Sequence, residues 1–217
     1  MSEDTGFEFF PVCDVATGTL HWVDVVDSGL SGLAVAEDAL VHDLGWLEQM
    51  AADSTLSFAL RGLTKPGNTA DRLLELLRSH RLDPGRIQLE LSSSELQGDP
   101  AACASVSELY SRGFRLSVGA FLTDDAGFWT LSNPHIHAIK CDWNHLMRLE
   151  SSELRQRFLK GLIGLCEALR KQLVVAGVDC DTVLQQLVAL GVKLVQGRAV
   201  AGPYKDSGFL TDLPSLA

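Results

Sequence analysis

The chain has 217 residues, 46% of them hydrophobic, enough to bury one large core in a single domain spanning residues 1–217. Its 18 basic and 28 acidic residues leave a formal charge of −10, which repels polyanions and argues against general nucleic-acid binding, where clustered Lys and Arg are needed. No apolar run reaches the ~18 residues of a membrane span, and the acidic start MSEDTGFEFF lacks the basic opening of a signal peptide, so a cytoplasmic chain with no membrane partner is expected.

In chain order, FEFFPVCDV and TLHWVDVV read as two strands joined through the turn Ala16-Thr17-Gly18, an antiparallel hairpin. Leu40, Leu44, Leu47 and Ala51 recur at helical spacing and predict a helix over 34–51. A short strand follows at 56–60. After Pro66-Gly67 comes a helix carrying Leu73, Leu74 and Leu77, and after Pro84-Gly85 a strand at 86–91. Pro100 suits the first turn of a helix over 100–111, because its missing N–H costs nothing there.

The second half continues the alternation. A strand is expected at 114–118, a short helix at 125–131 and a strand at 138–141. The longest helix, 152–171, repeats Leu154, Phe158, Leu162, Leu165 and Leu169 as its expected apolar stripe. A strand at 173–176 and a helix at 181–190 follow, the helix closed by Gly191 as a left-handed cap. The last strand is 193–195, and the tail from about 202 is Pro/Gly/Ser-rich and partly irregular. Strands alternating with helices at this spacing imply βαβ units and a closed α/β barrel, with the first strand running against the rest.

Function in such a barrel sits at the C-terminal strand ends. Those ends read Asp24, Ala59, Glu90, Gly119-Ala120, Lys140, Ala176 and Gln196. Several positions suited to binding a cation or moving a proton are therefore alanine or glycine.

The order and flanks of these ends resemble the EAL domain, the cyclic-di-GMP phosphodiesterase family. FFPVCDVATGTLHWVDVV resembles the family's YQPIVDLxTGxxxGxEAL. LSFALR resembles LSVNLS, LELSSSEL resembles LEITESxL, and GFRLSVGAFLTDD resembles GxxLALDDFGTG. HAIKCDWNHL resembles xxLKIDxSFV. The long ungapped VVAGVDCDTVLQQLVALGVKLVQGRAVAGP resembles VVAEGVETxxQLxxLxxLGxxxVQGYxFxxP. The likeness covers nearly the whole chain and implies a TIM-like (β/α) barrel of the EAL type with an irregular first strand.

Active members, by this resemblance, hold two divalent cations at the strand ends and hydrolyse a phosphodiester. Carried over residue by residue, the signature Glu becomes Asp24 and the ligand Asn becomes Ala59. The ligand Glu is kept as Glu90, and the loop-organising Glu becomes Ser93. The Asp-Asp pair becomes Gly119-Ala120, the catalytic Lys is kept as Lys140, and the Glu of AEGVE becomes Ala176. The following acid is shortened to Asp179, and the Gln of QG is kept as Gln196. The expectation is a degenerate member with no catalytic residues, no cofactor and no metal. Asp24, Glu90, Lys140 and Gln196 are then vestigial, Asp24 and Glu90 remaining as weak candidates for a single cation. The opening Gln becomes Phe10, and the phosphate-reading Arg falls at Ser28 beside Asp27, which disfavours the nucleotide.

From Asp24 to Ala59 is 59 − 24 = 35 residues, shorter than the family's segment, which implies a trimmed first helical layer and a partly open wall. The resemblance implies a regulatory module binding another protein in bacterial signalling, over transcription, motility or biofilm. Two alternatives stand beside it: a metal-independent cyclic-di-GMP receptor, and an enzyme of altered chemistry at Lys140 and Glu90. Lys140 is expected to pair with Glu90 or Asp24. His135 and His137 read as a solvated strand entry rather than a metal pair. Asp124 and Asp125 read as a helix start. Trp22, Trp46 and Trp143 suit a core or an interface equally. Cys13, Cys103, Cys141, Cys166 and Cys180, odd in number and without a CxxC pair, read as buried reduced thiols. The Met1 start favours a free-standing chain.

Overall fold

A computed structural model describes residues 7–27, 55–60, 69–96, 99–122 and 127–204. Eight strands form a closed barrel in sequence order. Strands β1 (Phe7–Asp14) and β2 (Thr19–Asp27) make the expected hairpin, whose turn is held by the Asp14 carboxylate accepting from the Ala16 amide at 2.9 Å. Then come β3 (Leu56–Leu60), helix α1 (Thr69–Ser79), β4 (Ile87–Ser92), α2 (Pro100–Ser111), β5 (Arg115–Gly119) and α3 (Gly127–Ser132). The chain continues through β6 (Ala138–Asp142), the short α4 (Trp143–Leu146), α5 (Ser152–Ala168), β7 (Gln172–Ala176), α6 (Asp181–Leu190) and β8 (Leu194–Gln196). Neighbours from β2 to β8 pair in parallel, while β1 runs antiparallel to both β2 and β8 and so closes the circle. The sheet is therefore closed. The trimmed helical layer, the helix over 34–51, Trp46, Asp124 and Asp125 lie outside the described residues.

Helix ends follow the sequence. Asp99 caps α2 by accepting from the Ala101 amide at 2.8 Å with Pro100 in the first turn, and Ser151 caps α5 by accepting from Leu154 at 3.1 Å. Gly191 ends α6 at φ +92°, as expected. No helix among the described residues is long and apolar enough to cross a membrane.

Packing decides one open reading and corrects two expectations. Trp22 and Trp143 are both core residues. On α5 the buried residues are Leu159, Leu162 and Cys166; of the expected stripe only Leu162 is buried, while Leu154, Phe158, Leu165 and Leu169 are exposed. The helix carries two adjoining apolar faces, and the barrel takes the other one. Of the five free thiols, Cys13, Cys141 and Cys166 are buried, Cys103 is half-buried and Cys180 is exposed, so the buried-thiol reading applies to three.

Two groups of side chains, one apolar and one polar, fill the barrel beneath its mouth. Val12, Trp22, Ala138, Val174 and Leu194 form an interior apolar cluster. The polar residues Ser57, Gln88 and Ser117 lie buried on β3, β4 and β5. Gln88 donates to the Ser57 hydroxyl at 3.3 Å and pairs with His137 at 3.0 Å. The β1–β2 register passes over His21, since Val12 faces Trp22 and Cys13 faces Leu20. This bulge gives His21 a contact with Gln172 at 3.0 Å. His137 is thus a half-buried partner of the barrel floor and not a solvated entry residue, whereas His135 stacks on Tyr110 with ring centroids 4.5 Å apart.

Candidate functional site at the barrel mouth

Parallel strands in a closed barrel bring their C-terminal ends to one rim, and strand periodicity sends alternate side chains inward. Asp24, Ala59, Glu90, Lys140 and Gln196 accordingly line one cavity of about 70 Å³, together with Phe10, Val25, Val26 and Ser57. Such a volume has room for a few water molecules.

Lys140 is the centre of the site. Its ammonium donates to Asp24 Oδ2 and to Glu90 Oε2, spanning from β6 to β2 and to β4. The side chains of Asp24, Lys140 and Glu90 are 8%, 13% and 21% exposed, so water screens the triad weakly. Burial alone pulls the lysine pKa down. Attraction and hydrogen bonds from Asp24 and Glu90 outweigh it and hold the pKa above the usual lysine value.

A second set of contacts fixes the acids. Trp22 Nε1 donates to Asp24 Oδ1 at 3.0 Å. Gln196 Nε2 donates to Asp24 Oδ2 and to the Phe10 carbonyl, the latter at 3.0 Å. Gly197 follows Gln196 because a Cβ there would sit 2.2 Å from the Val178 carbonyl oxygen. Sequence reasoning missed Trp22 as a site residue, although it stands two positions before Asp24 on the same strand face.

The remaining strand ends carry no oxygen-bearing side chain: Ala59, Gly119, Ala120 and Ala176. Ser93 reaches the β5 end, its hydroxyl donating to the Ala120 carbonyl at 3.3 Å. Ala120 and Leu122 have φ of +51° and +75°, left-handed conformations that store strain beside the mouth. The Phe121 amide donates to the Lys140 carbonyl at 3.0 Å and ties this loop to β6. Asp179 turns to Arg198, 2.8 Å away, which lowers its pKa. Ser28 lies outside the described residues.

A family profile described as the EAL domain matches residues 34–203, well over half of the chain. This chain belongs to the EAL domain family. The EAL domain is 25% identical over 142 residues to the cyclic di-GMP phosphodiesterase RocR of Pseudomonas aeruginosa, covering 65% of this chain and 36% of that protein. It thus spans little more than a third of its curated relative. Solved EAL domains share its fold. That of Mycobacterium smegmatis DcpA has a TM-score of 0.80 at 20% identity, covering 95% of this chain and 94% of the other. The FimX EAL domain of Pseudomonas aeruginosa, solved bound to c-di-GMP, has a TM-score of 0.75 at 21% identity, with coverage of 94% and 93%.

Proposed function

We propose that this EAL domain is a non-catalytic regulatory module of cyclic-di-GMP signalling that acts by binding another protein. The observation that carries the reading is the set of strand ends Ala59, Gly119, Ala120 and Ala176, which leaves Asp24 and Glu90 as the carboxylates among the described mouth residues, both bonded to Lys140. A pair of divalent cations needs about six oxygen ligands per ion. Among the described mouth residues, Asp24 and Glu90 supply the carboxylates, and Lys140 engages each of them. Ala59, Gly119, Ala120 and Ala176 add no side-chain oxygen. This donor set does not fit two cations. Lys140 is also a poor general base, because its proton is held above the ordinary lysine range. That weighs against altered chemistry at Lys140 and Glu90.

The receptor alternative has support in the fold shared with the ligand-bound FimX domain. Charge weighs against it. Two carboxylates and one ammonium leave the triad one net negative charge, in a chain of formal charge −10, and phosphates are repelled by both. Exposed Leu154, Phe158, Leu165 and Leu169 support a protein as the class of partner.

The test is direct. Pure protein with cyclic-di-GMP and Mg²⁺ or Mn²⁺ yields no linear product by chromatography, and calorimetry shows no binding heat. Metal-dependent hydrolysis overturns the reading, while binding without hydrolysis selects the receptor. In a host strain, deletion changes a regulated behaviour without changing cyclic-di-GMP levels, and a Glu90→Ala allele restores it.

A further inference from the structure

We infer that a cavity at the opposite end of the barrel from the mouth binds a small monocarboxylate with an apolar body, received by the ammonium of Lys171. The inference goes beyond the regulatory reading and does not rest on it.

Topology places the cavity. Strand β7 begins at Gln172 and β8 at Leu194, while β1, running against β8, ends at Asp14. These three residues line one cavity of about 240 Å³ beside the last turns of α5. Asp24, Glu90 and Lys140 belong to the other rim. Ile163, Leu173, Val192 and Leu194 give the cavity an apolar wall. A cavity of about 150 Å³ already holds a benzene ring, so this one has room for a ring with a polar head.

Lys171 lines the same cavity, and its ammonium is incompletely matched. The residue is only 8% exposed, and it donates to the Asn133 and Ile136 carbonyls at 2.7 and 2.5 Å. An ammonium has three N–H groups, so one is left without a partner among the described residues. Both partners it does have are uncharged. Burial pulls the Lys171 pKa below the ordinary lysine value, and the neighbouring Cys166 offsets this only in part. Lys140 is the contrast, since two carboxylates raise its pKa. A buried cation without a counter-charge is costly, and an anion in the cavity removes that cost.

The acids of the cavity are already engaged. Asp14 accepts from the Ala16 and Thr17 amides at 2.9 and 3.3 Å, and Glu167 faces Lys193 at 3.6 Å. They narrow the class of ligand. One carboxylate matches the one uncompensated ammonium, whereas a phosphate dianion adds a charge that Asp14 and Glu167 repel.

Amide NMR of the full chain at constant ionic strength tests this, with sodium benzoate as the probe. Benzoate is expected to shift the amides of Gln172, Leu173, Val192 and Lys193 saturably, with a Kd on the order of 10⁻³ M, and to leave Asp24, Glu90 and Lys140 unmoved. Benzamide has the same shape without the charge and binds at least about tenfold more weakly, because charge-assisted hydrogen bonds are the stronger ones. K171M abolishes the preference for benzoate over benzamide. The inference is overturned by the lack of a saturable shift at the cavity, by shifts centred on the mouth, or by equal affinity for the two probes. It is overturned as well by a folded K171M that keeps the preference. K171M also loses two bonds to the segment before β6. If that variant does not fold, Ile163→Trp, which fills the apolar wall, decides: loss of the benzoate shifts supports the site, and their retention overturns it. Neither hydrolysis nor cyclic-di-GMP enters these readouts, so failure here is separate from failure of the non-catalytic reading.

Discussion

Glu90 and Gly119 share one volume. Glu90 Oε1 lies 2.3 Å from the point where a Cβ on Gly119 would be, and Glu90 Oε2 accepts from Lys140. The absence of a side chain at 119 is thus a condition for the Glu90–Lys140 contact. Any larger residue there must swing the carboxylate aside, which is sterically easy but breaks a weakly screened ion pair. Gly119→Ala is expected to cost about 1.5–3 kcal/mol, the range for a hydrogen bond to a charged group. At about 2–4 °C per kcal/mol for a domain of this size, thermal unfolding resolves the loss. In a Glu90→Ala background the same substitution costs little, and a double-mutant cycle measures the difference.

The barrel floor predicts a pH dependence. Burial first, and then the charge of Arg115, push the His137 pKa down to about 4, with smaller contributions from His21 and Lys171. The unfolded chain has the ordinary value of about 6.5. The folded state therefore disfavours the proton that the unfolded state accepts. Stability from this group is complete above about pH 6.5 and falls as pH drops toward 4, by up to about 3 kcal/mol. His137→Gln keeps a polar partner for Gln88 and flattens the profile between pH 7 and pH 4.5. Urea denaturation of both proteins across that range checks it; parallel profiles would remove His137 as the cause.

The mouth was legible in the sequence because a barrel turns a list of strand ends into a list of neighbours. Asp24, Glu90, Lys140 and Gln196 are far apart in the chain and meet in one cavity. The short strand Leu56–Leu60 and the Pro-started helix Pro100–Ser111 were legible too. The floor was not. His21 enters it through a bulge, which depends on the partner strand and leaves no local pattern. Lys171 reads as the last residue of a helix, yet α5 ends at Ala168 and the lysine is buried, donating to the Asn133 and Ile136 carbonyls at 2.7 and 2.5 Å. A long polar stem at a helix end looks solvated until the elements packed against it are known.

Helix α5 shows how periodicity finds a face without identifying its partner. Leu159 is fully buried and Leu162 nearly so, while Leu154 and Leu165 are 44% and 43% exposed. Leu159→Ala is expected to cost about 2–5 kcal/mol, by lost burial and a cavity. Leu165→Ser leaves the stability of the isolated chain within about 0.5 kcal/mol, as an exposed substitution should. Equal losses at the two positions would mean that the 165 face is covered within the chain. Chemical denaturation with a fixed m-value separates the outcomes.

Two helix ends place arginine where glycine is favoured. Arg81 and Arg170 both have φ of +55°. Each follows a helix whose end is closed by a reverse contact, Leu82 N–H to the Leu77 carbonyl at 2.9 Å and Lys171 N–H to the Cys166 carbonyl at 2.8 Å. At the equivalent turn of α6 the chain uses Gly191, with Val192 N–H bonded to the Leu187 carbonyl at 3.0 Å. The left-handed conformation costs a residue with a Cβ about 1–2 kcal/mol. Glycine removes that strain but gives back about 0.5–1 kcal/mol through the greater freedom of its unfolded chain. Arg170→Gly and Arg81→Gly should therefore each stabilise by a few tenths of a kcal/mol up to about 1 kcal/mol. The two sites lie on different helices, so the double variant should add the two gains. Thermal melts at fixed pH check it, and a loss of stability at either site would show that the arginine side chain makes a contact worth more than the strain it causes.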